Sequence, residues 1–533
     1  MEKPKNLKQK LYGIIFLIAI ILYFFLLVLL VEAERGAPGA TIKNIGDAIW
    51  YSLATFTTVG YGDSYPVTSA GRIVASVFLI LGVGVLGFFV GFMVDFFSRI
   101  SPLVTLTMNS SKPWYIFTDK SMYAVIFAEN LKKVRPDAMI IYADTNDNEH
   151  TQGFISVPLT VKELITRRGS LYDAHIMCMK EDEMENFLDS MSLSDIGVPV
   201  ICLANFTPSH HPLNINFFSL TDCTARMFWQ TYPVKKKDEI ILLIGFGKTG
   251  TVILDRAIEL NVYSTDQHIC YHVFGDAKEY CTNRKRFGEI VSINSVSDTK
   301  DTVIFHEDFW NADEELLGRA DRIILCDDSE QNNIFILHTI QKFFAITGNI
   351  YIYNSNVRSI ATPFGQTRDV LTPAFVLHNR LSDMALCCHE FFRYRVNGEV
   401  AMWEDLNSLI KDMNYTSTDH ISMKVRILLG EDAPSKPFDE LDSKILREAQ
   451  AVFEKAEGEE RDRLLKIEHN RSMRFYLLHN FQYGETLDDE RRINTLLKPY
   501  DELSDDEKSL AEIPWMLLGE LAAHKEARAA FKR

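Results

Sequence analysis

The sequence predicts an α-helical membrane domain, followed by two α/β domains with parallel sheets and a mainly helical C-terminal region. Two long apolar runs lie within the first 100 residues, and strand and helix patterns then alternate in two successive stretches. From about Leu381 onward the pattern changes to charged helices. The expected domains are residues 1–100, 101–236, 237–380 and 381–533.

Composition excludes several classes of protein. The 533 residues carry 56 Lys and Arg against 72 Asp and Glu, a net charge of −16, which disfavours nucleic acid as a partner. Hydrophobic residues make up 47% of the chain, so it is not a disordered one. The eight cysteines include no C-x-x-C pair, which excludes a zinc ribbon and argues against a disulfide-linked secreted protein.

The first apolar run, Leu11–Val31, is an uncharged stretch that predicts a membrane-spanning helix of about 31 Å. It is longer than the apolar core of a signal peptide, and no small-residue cleavage site follows it directly. Basic residues flank spans on their cytoplasmic side, so the N-terminus is expected in the cytoplasm. The basic residues before the run are Lys3, Lys5, Lys8 and Lys10.

The second apolar run, Ile73–Phe97, is interrupted only by Asp95 near its end and is expected to return the chain to the cytoplasm. Everything after about Ser101 is then cytoplasmic, in agreement with free thiols. Residues 1–100 have eight basic and six acidic side chains, net +2, so the remaining chain carries −18. The acidity therefore belongs to the cytoplasmic part.

A short segment between the two runs carries the strongest motif. Thr41–Thr57 predicts an amphipathic helix of about four turns, too short to cross a bilayer. Thr58–Asp63, the hexapeptide TVGYGD, follows it. Its alternating glycines permit backbone angles at which carbonyl oxygens point to one axis, where four copies could replace the hydration shell of K⁺. The alternative, a glycine-rich extracellular turn, does not account for the position between two spans.

Residues 11–100 resemble the pore of two-transmembrane potassium channels, and Thr58–Asp63 matches their selectivity filter. The resemblance implies a homotetramer in the lipid bilayer of the cell membrane. Trp50 and Tyr51 match the aromatic pair behind the filter, whereas Ala54 stands where some relatives carry a Glu that pairs with the filter Asp. The expected filter residues are Thr58, Val59, Gly60, Tyr61, Gly62 and Asp63, with K⁺ at the first four.

The second span contains the expected gate. Gly82 stands where relatives place a hinge glycine, although close packing between helices is the alternative role for glycine in a membrane. Gly84, Phe88, Gly91 and Asp95 share one helical face, which by resemblance lines the inner pore. Four Asp95 carboxylates would attract K⁺ and repel one another in a closed bundle, biasing it open, unless Asp95 is simply an interfacial carboxylate.

A strand over residues 239–244 runs directly into a G-x-G-x-x-G turn and a predicted helix, Thr251–Leu260, which is the dinucleotide fingerprint in its confirming context. Gly245 makes the turn, Gly247 permits close approach of a phosphate, and Gly250 lets the helix pack near the strand. The sequence thus predicts a site for NAD or ADP. Its expected residues are Gly245, Phe246, Gly247, Lys248, Thr249, Gly250, Asp276, Asp308 and Asp327.

An earlier stretch has the same layout without the glycines. Strands at 114–117 and 138–142 flank a helix at 123–133, but the turn is Thr118–Ser121, whose Asp119 would oppose a pyrophosphate. Asp144 begins a segment, DTNDN, that resembles the start of a calcium loop. The later Gly and Glu are missing, so an EF-hand is excluded, and a ribose or divalent-ion contact remains as a hypothesis.

Two such folds directly behind an inner pore helix resemble the RCK domains of ligand-gated potassium channels over residues 112–380. The resemblance implies eight RCK domains per tetramer, in a gating ring whose expansion pulls the inner helices. Some relatives bind Ca²⁺ with an acidic cluster. Asp327 matches one of its positions, but Ser355 and Asn356 replace others, so the divalent site stays open between Asp144 and Asp327.

The C-terminal region carries a faint internal repeat, with WEDL at Trp403–Leu406 and YDEL at Tyr500–Leu503. Residues 465–512 resemble the RyR-type modules found in ryanodine receptors and in bacterial proteins fused to nucleotide-binding folds. A helical cap with a solvated acidic face is the alternative interpretation.

These observations predict a potassium channel gated by NAD or ADP, with Ca²⁺ as a further candidate, rather than an enzyme. The alternatives are a membrane-anchored NAD-dependent oxidoreductase and a nucleotide-sensing or interaction scaffold. An oxidoreductase needs an acid or base at the nicotinamide, and His272 and His306, near strand ends, are expected to be structural.

Overall fold

The computed structural model describes residues 5–144, 154–168, 173–190, 197–205, 214–357, 360–377, 383–396 and 400–531. The chain divides into two compact units, which are taken separately below. One comprises residues 1–110, and the other comprises nearly all of residues 111–533.

In its described residues, the first unit contains three helices, α1 (Lys5–Glu34), α2 (Ile45–Phe56) and α3 (Ser69–Met108). The two predicted apolar runs lie within α1 and α3. The predicted amphipathic helix is shorter than expected, three turns instead of four, because Asn44 caps it. The Asn44 side chain accepts a hydrogen bond from the Asp47 amide at 3.0 Å, and the Asp47 carboxylate accepts one from the Asn44 amide at 3.3 Å.

Within the residues that the structure describes, no helix has a sufficiently long and apolar stretch to span a bilayer.

The second unit begins with a six-stranded parallel sheet in the order β3-β2-β1-β4-β5-β6. The predicted strands β1 and β2 form at its centre, with Trp114 of β1 opposite Met139 of β2. The strands are β1 (Trp114–Phe117), β2 (Met139–Tyr142), β3 (Phe154–Ser156), β4 (Ala174–Cys178), β5 (Val200–Leu203) and β6 (Ile215–Phe218). The helices are α4 (Met122–Val134), α5 (Val161–Arg168), α6 (Glu181–Ser190) and α7 (Leu220–Thr231).

A second parallel sheet follows, in the order β13-β12-β11-β7-β8-β10-β9. The strands predicted over residues 239–244, 269–274, 301–305 and 322–326 form as β7, β8, β10 and β11, whereas β9, β12 and β13 were not predicted. The strands are β7 (Ile240–Ile244), β8 (Cys270–Phe274), β9 (Ser292–Ile293), β10 (Thr302–His306), β11 (Arg322–Leu325), β12 (Asn349–Tyr353) and β13 (Thr362–Phe364). The helices are α8 (Lys248–Leu260), α9 (Lys278–Asn283), α10 (Phe287–Ile290), α11 (Glu314–Arg319) and α12 (Glu330–Phe343).

Both sheets reverse their strand order next to the first strand, between β1 and β4 in one and between β7 and β11 in the other. Their central strands are buried, as expected for parallel sheets covered on both faces. Open α/β sheets bind ligands outside the carboxyl ends of the strands at such a reversal. The residues that follow β1, β4, β7 and β11 are therefore the expected ligand-binding positions of these two sheets.

The C-terminal region is mainly helical, as predicted. The segment most similar to Tyr500–Leu503 was not the predicted one. PFDEL at Pro437–Leu441 and PYDEL at Pro499–Leu503 both form a 3₁₀ turn before a capped helix. The elements are α13 (Thr367–Val370), α14 (Pro373–Val376), α15 (Asp383–Arg395), α16 (Ser408–Asp419), α17 (Ile421–Leu429), α18 (Ser443–Lys455), α19 (Gly458–Leu478), β14 (Gln482–Tyr483), β15 (Ile493–Asn494), α20 (Asp505–Leu510) and α21 (Ile513–Phe531).

Buried ion pairs join these C-terminal helices to the sheet region. Arg226 on α7 donates from its Nη2 to the carboxylate of Asp419 on α16 at 3.1 Å, and Gln230 Nε2 donates to the same oxygen at 2.9 Å. Arg256 on α8 donates to Asp412 on α16 at 2.7 Å. Helix α16 is therefore attached by charge to both α7 and α8.

Candidate functional sites

The TVGYGD segment directly follows α2 and alternates in backbone conformation. Thr58, Gly60 and Gly62 have φ values of 58°, 58° and 75°, so every second residue lies in the left-handed region. The Gly60 amide donates to the Ala54 carbonyl at 3.0 Å, which fixes the segment to the end of α2. A left-handed Thr is costly, and such strain concentrates at functional sites. The alternating backbone is consistent with the conformation that the sequence predicts for this segment.

Trp50 contacts this segment at two points. Its indole Nε1 donates a hydrogen bond to Asp63 Oδ2 at 2.9 Å, and its ring stacks on Tyr61 with centroids 5.6 Å apart and planes 8° from parallel. Tyr51 and Ala54 are buried on the neighbouring face of α2. The sequence analysis assigned Trp50 as a brace and noted that Ala54 cannot pair with Asp63. The hydrogen bond from the Trp50 N–H to Asp63, which replaces the missing pairing with residue 54, was not predicted.

Glu34, at the end of α1, holds the start of α3 and was also missed. Its buried carboxylate accepts hydrogen bonds from the amides of Val67 and Thr68, each at 2.9 Å, and from the Thr68 hydroxyl at 2.7 Å. A Cβ on Gly71 would come closer than 3.0 Å to the Glu34 carboxylate, so only glycine fits there. The one signal in the sequence was an acidic residue just after an apolar run.

The predicted gate residues Gly82, Gly84, Phe88, Gly91 and Asp95 all lie in α3, which is continuous through them. A Cβ on Gly91 would meet no atom of this chain within 4 Å. The side chains of Phe88 and Asp95 lie outside the described part of the structure. The hinge and the carboxylate ring stay predictions.

The glycine turn after β7 requires its glycines. Gly245 has a φ of 94°, and a Cβ there would lie closer than 3.0 Å to the amide of Asp327. A Cβ on Gly250 would meet the Gly245 carbonyl equally closely. Helix α8 begins at Lys248, one turn earlier than predicted. Its N-cap residue is Gly247, which has no side chain that could mark the helix start in the sequence.

A carboxylate of the chain itself accepts hydrogen bonds from the first backbone amides of α8. Asp328, which follows β11, accepts hydrogen bonds from the Lys248 amide through Oδ2 and from the Thr249 amide through Oδ1, each at 2.9 Å. A Cβ on Gly247 would collide with Oδ2. Free amides at a helix N-terminus are where a phosphate binds in this fold. Asp327 was predicted from the sequence, whereas its neighbour Asp328 in the CDDSE segment was missed.

The other predicted nucleotide residues are placed around this turn. Phe246 is buried, packing on Tyr280 and Phe305 with centroids 5.2 and 6.0 Å away. Asp276 accepts a hydrogen bond from the Lys278 amide at 3.1 Å, at the start of α9. Asp308 is exposed in the loop after β10.

Asp327 lies beside the glycine turn but is engaged in local structure. Its Oδ1 accepts from the Ser329 amide at 2.8 Å, and Asn333 holds its backbone on both sides, at 3.0 Å to the amide and 2.8 Å to the carbonyl. The structure therefore brings Asp327 to the predicted place with one carboxylate oxygen already used by the loop before α12.

In the first sheet, the residues at the strand reversal also satisfy one another. Buried Asp119, after β1, accepts hydrogen bonds from the amides of Ser121 and Met179, each at 2.9 Å, and Met179 follows β4. Asp144 has a left-handed backbone, and Asn146 and Asn148 lie outside the described residues. Across the ranges that the structure describes, no group of three His, Cys, Asp or Glu side chains could hold a metal ion.

His272 and His306 lie side by side on β8 and β10. His272 Nδ1 is 2.9 Å from His306 Nε2, and Cys270 Sγ is 3.3 Å from His272 Nε2. Burial, together with the neighbouring His306 and Arg319, lowers the pKa of His272 to about 4, and burial lowers the pKa of His306. Both rings are therefore neutral at pH 7, and each can give or take one hydrogen bond from its neighbour.

Residues 11–99 match the family profile described as "Ion channel". This segment is thus similar to the channel domain of ion channels, and it contains the strained TVGYGD segment, Trp50 and Asp63. The curated relatives it matches are potassium channels, and each match covers less than a quarter of the relative's own length.

The calcium-gated potassium channel TvoK of Thermoplasma volcanium is 46% identical over 54 residues, 10% of this chain and 16% of the relative. The potassium voltage-gated channel protein Shal of Drosophila melanogaster is 38% identical over 96 residues, 18% of this chain and 17% of the relative. The voltage-gated potassium channel of Aeropyrum pernix is 34% identical over 67 residues, 13% and 23% of the two chains.

Among solved structures, GsuK bound to ADP is 17% identical with a TM-score of 0.35, over 70% of this chain and all of that chain. The GsuK channel bound to NAD is 14% identical with a TM-score of 0.33, over 72% of this chain and 86% of that chain.

Proposed function

We propose that the chain forms a potassium-selective, ligand-gated ion channel as a homotetramer in the cell membrane. The observation that carries the proposal is the left-handed backbone at every second residue of Thr58–Asp63, tied to α2 through Trp50 and Asp63, within a segment that matches ion channels. Four such segments around one axis would present rings of oxygens. Such rings can replace the water lost by a dehydrated K⁺.

In this proposal, the apolar runs Leu11–Val31 and Ile73–Phe97 span the membrane, with the N-terminus and the second unit in the cytoplasm. Gly82 acts as the hinge of α3, while Gly84, Phe88, Gly91 and Asp95 line the inner pore. Closely spaced carboxylates repel one another, so a ring of Asp95 side chains would destabilise a closed bundle.

The two parallel sheets act as RCK domains, eight to a tetramer, and sense a nucleotide such as NAD or ADP. Support comes from the glycine turn, where Gly245, Gly247 and Gly250 allow a close approach of backbone at the start of α8, the position at which such folds bind a phosphate. A ligand needs only a few kcal/mol of preference for the open state to shift gating. Asp144 and Asp327 are the candidates for a Ca²⁺ contact, and residues 465–512 for an RyR-like module.

Potassium flux from liposomes containing the purified chain tests the proposal. We expect flux that Ba²⁺ blocks, that exceeds Na⁺ flux, and that changes when NAD or ADP is added to the cytoplasmic side. Gly60→Ala should abolish it, because alanine avoids a φ of 58°. Gly39→Ala is the matched control, since Gly39 is also left-handed, with a φ of 80° and no neighbour within 4 Å.

Absence of Ba²⁺-sensitive flux with every ligand would refute the channel. Flux that ignores both nucleotides would leave the pore standing and refute the nucleotide sensor. We expect no NADH oxidation by the same preparation, and turnover would favour the oxidoreductase instead.

A further inference from the structure

The phosphate-binding amides at the start of α8 are engaged by the chain itself. We propose that Asp328 is an internal anion that competes with the phosphate of a nucleotide for these amides, an inference that rests on the proposed nucleotide site. Its two carboxylate oxygens take the Lys248 and Thr249 amides, one each, at 2.9 Å. This is the bidentate arrangement that two phosphate oxygens would adopt.

The two anions cannot share the site. Each backbone N–H provides one hydrogen, and both hydrogens are directed at Asp328. A phosphate placed there would also stand against a carboxylate of like charge at hydrogen-bond range, which is strongly unfavourable. The contact depends on Gly247, since a Cβ at that position would meet Asp328 Oδ2 closer than 3.0 Å. Phosphate binding therefore requires that Asp328 leave.

The Asp328 side chain can move away from the amides while the rest of its loop stays in place. Asp328 is solvent-exposed, so its carboxylate can rotate into water. The backbone next to it is held by other groups, since Asn333 bonds both the amide and the carbonyl of Asp327, and Ser329 caps α12. Exchange of one anion for another thus needs a side-chain rotation, without loss of the loop.

The first sheet has a corresponding contact in which the carboxylate is buried. There, Asp119 bridges the same strand reversal in the opposite direction, from the end of β1 to the Met179 amide after β4. Asp119 is only 7% exposed, whereas Asp328 is open to solvent. Between the two sheets, the second is therefore the one whose internal carboxylate can exchange with a ligand.

The competition weakens binding of the phosphate group and does not affect binding of the nucleoside. Removing the Asp328 charge should tighten ADP binding about tenfold and leave adenosine binding unchanged, because adenosine does not need the amides. Asp328→Asn should have a similar effect, since a neutral amide oxygen is a weaker acceptor than a carboxylate. Asn also retains a cap on α8, so it separates competition from loss of the helix start.

Calorimetric titration of the full-length purified chain with ADP and with adenosine tests this. The variants are Asp328→Ala, Asp328→Asn and the control Asp313→Ala, which removes an equal charge and a helix-capping hydrogen bond from α11. Tighter ADP binding in both Asp328 variants, with the control at the wild-type value and adenosine unchanged, would support the inference. Thermal unfolding of each variant verifies that the chain is folded.

The remaining outcomes separate the inference from the proposed sensor. If the wild type fails to bind ADP and both Asp328 variants bind it, the competition holds and ADP sensing by the native chain is refuted. Equal ADP affinity in wild type and variants would overturn the inference and leave the sensor intact. An equal gain in Asp313→Ala would overturn it as a general charge effect, and no ADP binding by any chain would overturn both.

Discussion

The Nε1 of Trp50 donates a 2.9 Å hydrogen bond to the carboxylate of Asp63, thirteen residues further along the chain. The same indole ring stacks on Tyr61. One side chain of α2 thus holds two residues of the TVGYGD segment. Because Ala54 offers no acid to pair with Asp63, the conformation of this segment depends on the indole N–H.

Trp50→Phe should therefore shorten the conducting lifetime of the proposed channel. Phenylalanine keeps an aromatic face for Tyr61 but lacks the N–H donor, so the Asp63 carboxylate loses a charge-assisted bond worth about 1.5–3 kcal/mol. We expect Ba²⁺-sensitive K⁺ flux to start normally and to decay faster than in the wild type. Tyr65→Phe, at an exposed aromatic residue outside the segment, should behave as wild type. Unaltered decay in Trp50→Phe would contradict the assignment.

Gly71→Ala should destabilise the first unit through Glu34. The added methyl group would force out the buried carboxylate, whose hydrogen bonds cap α3, at a cost of about 1–3 kcal/mol in the free energy of unfolding. Thermal unfolding of the purified chain measures this. In a Glu34→Ala background the same substitution should cost less, because only the contact with the Thr68 hydroxyl would remain within 3.0 Å. Gly87→Ala, with no neighbour within 4 Å, serves as the helical control. Equal costs in both backgrounds would exclude the Glu34 contact as the cause.

Gly247→Ala and Gly250→Ala should respond differently to removal of Asp328. The Gly247 Cβ would meet the end of the Asp328 side chain, whereas the Gly250 Cβ would meet the backbone carbonyl of Gly245. Each alone should cost about 1–3 kcal/mol. Asp328→Ala should restore most of the loss for Gly247→Ala and none for Gly250→Ala. A double-mutant cycle on unfolding temperature provides the comparison, and rescue of both variants would count against this geometry.

The histidine pair predicts a pH dependence of stability. His272 and His306 have lowered pKa values in the folded chain, so the unfolded chain binds more protons between about pH 4 and 6.5. The stabilisation is complete above pH 6.5 and is lost as pH falls toward 4, by up to about 3 kcal/mol for His272. His272→Gln should flatten the slope of unfolding temperature against pH in this window. An unchanged slope in His272→Gln would contradict this prediction.

Local patterns predicted the parallel-sheet framework well. Trp114–Phe117 is four buried residues in a row, and its strand has the predicted bounds. The glycine turn after β7 was equally readable, because strand, glycines and helix are consecutive. Helix α8 begins earlier than predicted because an N-cap without a side chain gives no signal.

The missed residues share a physical cause, since their partners are distant in sequence. Glu34 bonds amides 33 and 34 residues away, and Asp328 bonds amides 80 and 79 residues away. Such pairs exist only once α1 meets α3 or once β7 lies beside β11. No spacing rule within a single element could have indicated them.

The Arg226–Asp419 and Arg256–Asp412 pairs bear on how the second unit can be divided. Cutting the chain before α16 would remove Asp419 from Arg226 and Asp412 from Arg256, whose guanidinium groups are both buried. Asp222 would remain beside both and Glu259 beside Arg256, but each buried charge would lose an acid at hydrogen-bond distance, which is destabilising. The last quarter of the chain, from α16 onward, is therefore part of the packed second unit. Any event that displaces α16, such as a partner docking on the C-terminal helices, would pull directly on α8 and so on the glycine turn at its head.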